Sequence, residues 1–126
     1  MKSFCFLSDK VVAKCDKRMS EFTMKKLWES FSFHSSVLSI DAGEENTFSI
    51  GNSQNAVIPA DKEYVISVTE DGIFVKGKDY GGLMRGFIAL IMKMELIVSD
   101  TGNDIVRIPV CSEVSNYEIR KYSIRL

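Results

Sequence analysis

The chain has 126 residues, 45% of them hydrophobic and 26% charged, with 16 basic against 17 acidic side chains. That length suits one domain, which can bury about two-thirds of its unfolded surface without disulfide or metal staples. The net charge of −1 excludes the basic excess that nucleic acids and membrane surfaces select, and the balanced composition excludes a disordered or collagen-like chain.

Residues 3–7 and 10–15 read as strands, the first aromatic and aliphatic, the second carrying Val11 and Val12. Ser20 can cap a helix over residues 20–33. Its apolar residues Met24, Leu27, Trp28 and Phe31 recur at i, i+3, i+4 and i+7, which is one helical face. Trp28 sits on that face as a core anchor; a sugar-stacking platform is the alternative. Residues 37–40 and 47–50 read as short strands, separated by an acidic turn over 41–46 and followed by a polar loop over 51–55. Residues 63–68 alternate, with Tyr64, Ile66 and Val68 on one face and Val65 and Ser67 on the other. Glu70-Asp71-Gly72 is a hairpin signal in which Gly72 would accept the positive φ of a tight turn. Residues 73–76 form the returning strand.

Asp79 caps a helix to about residue 94. Leu83, Phe87, Leu90, Ile91 and Met94 form one apolar face, and Met84, Ile88 and Met92 form a second stripe at i, i+4, i+8. Only Arg85, Ala89 and Lys93 interrupt it with a narrow polar strip. A helix apolar nearly all round is covered on two sides, so the stripe Met84–Ile88–Met92 is expected to meet a partner. Gly82 and Gly86, one turn apart, each cost about 1 kcal/mol relative to alanine in a helix. Close packing against a strand or a second helix is the simplest compensation. Residues 99–104 read as a turn, 105–110 as a strand, and 116–126 alternate loosely.

The residue inventory gives little chemistry. Cys5, Cys15 and Cys111 lie far apart with no CxxC pair, and His34 is the sole histidine. No metal centre and no cofactor site is expected from these residues. The unpaired thiols, with an N-terminus that meets charge at Asp9, favour a cytoplasmic location over a secreted one. The carboxylate pairs Glu44-Glu45 and Glu70-Asp71 fall in turns, where solvent keeps a carboxyl from the raised pKa of a general acid. A Cys–His dyad is the remaining enzymatic reading.

One resemblance reaches further. Tyr64-x-Ile66-x-Val68, Gly72-Ile73-x-Val75 and Gly82-Leu83-x-x-Gly86-x-x-Ala89-Leu90 resemble the hairpin-and-helix pattern of the non-catalytic N-terminal domain of family 20 glycoside hydrolases, the β-N-acetylhexosaminidases. The same module precedes related barrels such as those of α-glucuronidases. Ala89 stands where that pattern carries threonine. Ile108-Pro109 is similar to the strand before the linker, and residues 116–126 to the lead-in of the barrel. Where the lead-in has Arg-Gly, this chain has Tyr122-Ser123, or Arg120 or Arg125 is the counterpart.

The resemblance implies an α+β domain over residues 1–126: a twisted, largely antiparallel sheet with two main helices packed on one face, zincin-like without a metal site. It implies an accessory domain of a carbohydrate-cleaving enzyme, with the catalytic Asp-Glu pair in a barrel of about 250 residues that would follow. No catalytic, metal or cofactor-binding residue is then expected here. The expected partner is that barrel, touching Met84, Ile88 and Met92, with carbohydrate bound only through the parent enzyme; Gly72, Gly82, Gly86 and Trp28 are structural. A free-standing domain that pairs with a second copy through the same helix stripe is the alternative.

Overall fold

The structure, a computed structural model, describes residues 3–7, 11–19, 38–52, 56–97 and 105–115. Among these residues, short β-branched and aromatic runs separated by polar turns become nine strands: β1 (Phe4–Leu7), β2 (Val11–Cys15), β3 (Leu38–Ala42), β4 (Thr47–Gly51), β5 (Tyr64–Thr69), β6 (Gly72–Gly77), β7 (Glu95–Ile97), β8 (Ile105–Pro109) and β9 (Cys111–Val114). One helix, α1 (Tyr80–Met92), is present among the described residues. The helix expected over residues 20–33, with Trp28 on its apolar face, lies outside them, as do His34 and residues 116–126.

Six strands form a sheet in the order β3-β2-β4-β6-β5-β9, and three more form β1-β8-β7. Every pairing is antiparallel except β2 with β3. A parallel pair needs a long crossover, and residues 16–37 supply that connection. The fold is therefore α+β with an antiparallel-dominated sheet. β9 was not expected from the sequence. The chain leaves the small sheet at Pro109, passes Val110, and joins the large sheet by pairing Cys111–Val114 with β5. Asp41 and Ala42 also belong to β3 rather than to the acidic turn after it.

The period-2 pattern of β5 and β6 sets the core. Register pairs Ile66 with Val75 and Val68 with Ile73, on one face, and all four are almost wholly buried. α1 lies on that face with Leu83, Phe87, Leu90 and Ile91 inward. Phe87 meets Phe48 of β4 edge-on, ring centroids 4.8 Å apart. Cys5, Leu7, Val106 and Ile108 of the small sheet join the same core. The alternation expected for β5 is not a simple inside–outside one. Val65, on the opposite face, is also buried, together with Phe74 of β6. That face is mixed rather than apolar: Val65 and Phe74 share it with Ser67, Thr69 and the exposed Lys76.

A helix of 13 residues is marginal alone. Its four inward side chains, each contributing about 1.5–3 kcal/mol on burial, hold it far more firmly than its cap.

Candidate functional site

α1 starts where the sequence says it should. Asp79 Oδ1 accepts from the Gly82 amide at 2.7 Å, which satisfies one of the free donors of the first turn. Two glycines then let the helix sit directly on β5 and β6. A β-carbon at Gly82 would stand 2.5 Å from the Glu63 carbonyl oxygen. One at Gly86 would stand 2.9 Å from Val75 Cγ1 and 3.1 Å from Tyr64 Cγ. At either position a β-carbon would fall well inside van der Waals contact, with the carbonyl just before β5 at Gly82 and with β5 and β6 side chains at Gly86.

Gly72 needs a different explanation from the one its turn suggests. The hairpin places Glu70 and Asp71 between Thr69 and Gly72, and Gly72 does not have positive φ; among the described residues that conformation belongs to Asn46 and Gly51. Glycine is required at 72 because a β-carbon there would lie 2.5 Å from Ile50 O and 2.7 Å from Asn52 O. The constraint comes from the neighbouring strand β4, not from the turn.

Polar straps fasten α1 along its length. Arg85 makes a two-pronged ion pair with Glu63, Nε to Oε2 at 3.1 Å and Nη2 to Oε1 at 2.8 Å. Lys93 Nζ lies 2.6 Å from Glu113 Oε2 on β9, and that ion pair pushes the Lys93 pKa up. At the N-terminal end the Tyr80 hydroxyl donates to the Arg18 carbonyl at 3.1 Å, and the Arg18 guanidinium stacks 4.7 Å above the Tyr80 ring. Exposed pairs of this kind contribute under about 1 kcal/mol each, so they orient the helix while the apolar contacts carry its stability.

What remains uncovered is the second stripe. Met92 is 71% exposed and Ile88 39%. Met84, at the other end, is half-buried against the core, so the accessible part of the stripe is Ile88 and Met92.

A second polar feature was not legible in the sequence. Asp16 follows β2 and is 1% exposed. Its Oδ1 accepts from the backbone N–H and Nε of Arg18, both at 2.9 Å, and its Oδ2 from Arg18 Nη2 at 2.5 Å and from the Asn46 amide at 2.6 Å. Arg18 Nη2 also donates to Asn46 Oδ1 at 2.6 Å. Bonding to the Arg18 side chain, helped by the backbone amides of Asn46 and Arg18, holds the Asp16 carboxyl far below the usual carboxylate range, although burial opposes this. A cavity of about 430 Å³ beside it is lined by Asp16, Lys17, Arg18, Gly43 and Glu45. The carboxylate accepts four hydrogen bonds and is ionised at neutral pH, and it ties the β3–β4 turn to β2.

The three thiols are pushed up, chiefly by burial, with Asp71 adding to Cys5 and Asp16 to Cys15. A raised thiol is a weak nucleophile at neutral pH. Among the described residues no group of three or more His, Cys, Asp or Glu side chains could hold a metal ion, and no helix is long and apolar enough to cross a membrane. No protein-family model, no curated protein and no solved structure matches the chain.

Proposed function

We propose that this chain is a non-catalytic docking domain of a carbohydrate-cleaving glycoside hydrolase, and that it seats the outer flank of α1 on a catalytic barrel. The observation that carries the reading is the pair Ile88 and Met92, solvent-exposed on a helix whose other apolar face is fully packed. A large apolar side chain left out on a rigid, polar-strapped helix is suited to an interdomain contact. The hairpin-and-helix pattern that resembles the accessory domain of family 20 hydrolases supports the same choice of partner. The chain's own role is then mechanical. The close seating at Gly82 and Gly86 fixes the helix, and the straps from Arg85 and Lys93 hold its orientation.

The coding region beyond codon 126 tests this. A reading frame continuing for the length of a barrel, about 250 residues, is the expected result. A stop codon soon after Leu126 refutes it and leaves self-association through the same helix flank, the alternative that Ile88 and Met92 equally favour.

A further inference from the structure

Four strands lie at the edges of the two sheets among the described residues: β3, β9, β1 and β7. Three of them carry a charged residue, Asp41 on β3, Glu113 on β9 and Glu95 on β7. Charge on an edge is a common protection against pairing with another chain. β1, Phe4-Cys5-Phe6-Leu7, has none. It also alternates cleanly: Cys5 and Leu7 are buried in the core, while Phe6 is 58% exposed and Phe4 half-exposed on the outer face.

The backbone of β1 is oriented for a further strand. The Val110 amide donates to Ser3 O at 2.9 Å, and the register pairs Cys5 with Ile108 and Leu7 with Val106. Hydrogen-bonded and non-hydrogen-bonded positions alternate in an antiparallel ladder, so residues 3, 5 and 7 spend their N–H and C=O groups on β8. Pro109, which has no N–H, falls opposite Phe4, where none is needed. The N–H and C=O groups of Phe4 and Phe6 therefore point away from β8, to the side where β1 has no partner strand among the described residues.

We infer that β1 is a self-pairing edge, and that two copies of this chain join antiparallel through it into one continuous six-stranded sheet. The register follows from which groups are free. Of the registers that set outward residues opposite one another, the two-fold axis through Cys5 is the one that gives both phenylalanines an aromatic partner, Phe4 with the second copy's Phe6 and the reverse. Each such pair exchanges both backbone hydrogen bonds and stacks two phenyl rings on the outer face, an arrangement that stabilises paired strands. No charge opposes another across the junction. A two-fold contact of this kind closes on itself and stops at a dimer. Arg107, whose guanidinium lies 4.3 Å above the Phe4 ring and which pairs with Glu95 at 2.7 Å, borders the patch on the β8 side.

Sedimentation velocity over a concentration series of the intact chain tests the pairing, comparing the wild type with Phe6→Lys and Ile88→Asp. The expected result is a wild-type monomer–dimer equilibrium. Phe6→Lys places a charge on the edge and should weaken the dimer by at least about tenfold while leaving the thermal midpoint unchanged, because Phe6 is largely exposed. Ile88→Asp should leave the dimer intact. A wild type that stays monomeric throughout overturns the inference. So does a dimer lost in Ile88→Asp but kept in Phe6→Lys, which would put the contact on α1 and favour self-association through the helix flank over docking on a barrel.

Discussion

Replacing Gly82 or Gly86 by alanine perturbs the closest contact in the fold. On helix propensity alone, each change should stabilise by about 1 kcal/mol. The structure reverses the sign. At Gly86 the added methyl group would stand 2.9 Å from Val75 Cγ1 and 3.1 Å from Tyr64 Cγ. Val75 is wholly buried on a central strand, and its branched side chain has one comfortable χ1 setting. The atom met on Tyr64 is the root of the ring, not its free end. Overpacking of this kind costs about 1–3 kcal/mol, and with both neighbours rigid the upper part of that range applies, for a net loss of about 1–2 kcal/mol. At Gly82 the obstacle is a backbone carbonyl, Glu63 O, 2.5 Å away. That carbonyl already accepts from the Lys78 amide at 2.8 Å, so it cannot yield without breaking a hydrogen bond at the start of β5. Gly82→Ala should therefore be the worse of the two, by about 1 kcal/mol or more. Differential scanning calorimetry of the three proteins reads this directly, at roughly 3–6 °C per kcal/mol for a domain of this size. A raised midpoint for either variant would refute the claim that α1 is seated on the strands at these two residues.

Two further outcomes follow from the buried carboxylate and from the site chemistry. Asp16→Asn keeps the shape but leaves Arg18 only the exposed Glu45, 3.7 Å away, as counter-charge, and should cost about 1.5–3 kcal/mol at neutral pH. Because the folded-state pKa of Asp16 is depressed, its stabilisation is present above the unfolded carboxylate value near pH 4 and is lost as pH falls towards the folded value; urea midpoints of wild type and Asp16→Asn should converge between about pH 5 and pH 2, and a gap that stays constant would contradict the network. The purified chain should show no saturable hydrolysis of aryl N-acetylglucosaminides, since its deeply buried carboxylate Asp16 is held ionised by Arg18 and cannot act as a general acid; turnover that persists through repurification would overturn the non-catalytic reading.

Local signals carried most of the fold. The hairpin β5–β6 and helix α1 stand close to their expected bounds, because alternation, the 3.6-residue period and the Asp79 cap are all written within a few residues of one another. β9 escaped because Cys111-Ser112-Glu113-Val114 is short, follows a proline and has no apolar alternation; it exists through its pairing with β5, about 45 positions earlier in sequence. Gly72 reads as a turn residue because turn chemistry is local, whereas its actual constraint is the adjacent strand β4, about 20 positions earlier in sequence. The Asp16–Arg18–Asn46 network was invisible for the same reason. Nothing near Asp16 marks it as buried, and one of its partners is 30 residues away. The helix stripe, by contrast, was legible as a pattern. Its narrowing to Ile88 and Met92 depended on how α1 is rotated against the sheet.

Ile88→Asp, melted in the isolated chain and in the intact protein of which it is proposed to be part, tests the docking claim most directly. In the isolated chain the side chain is partly in water already, so the change should cost under about 1 kcal/mol. In the intact protein it would bury a carboxylate against the barrel, and the melting transition of this domain should fall by the equivalent of about 2 kcal/mol or more. If Ile88→Asp unfolds the isolated chain, the stripe is ordinary core; if it leaves the intact protein unchanged, α1 is not the docking face.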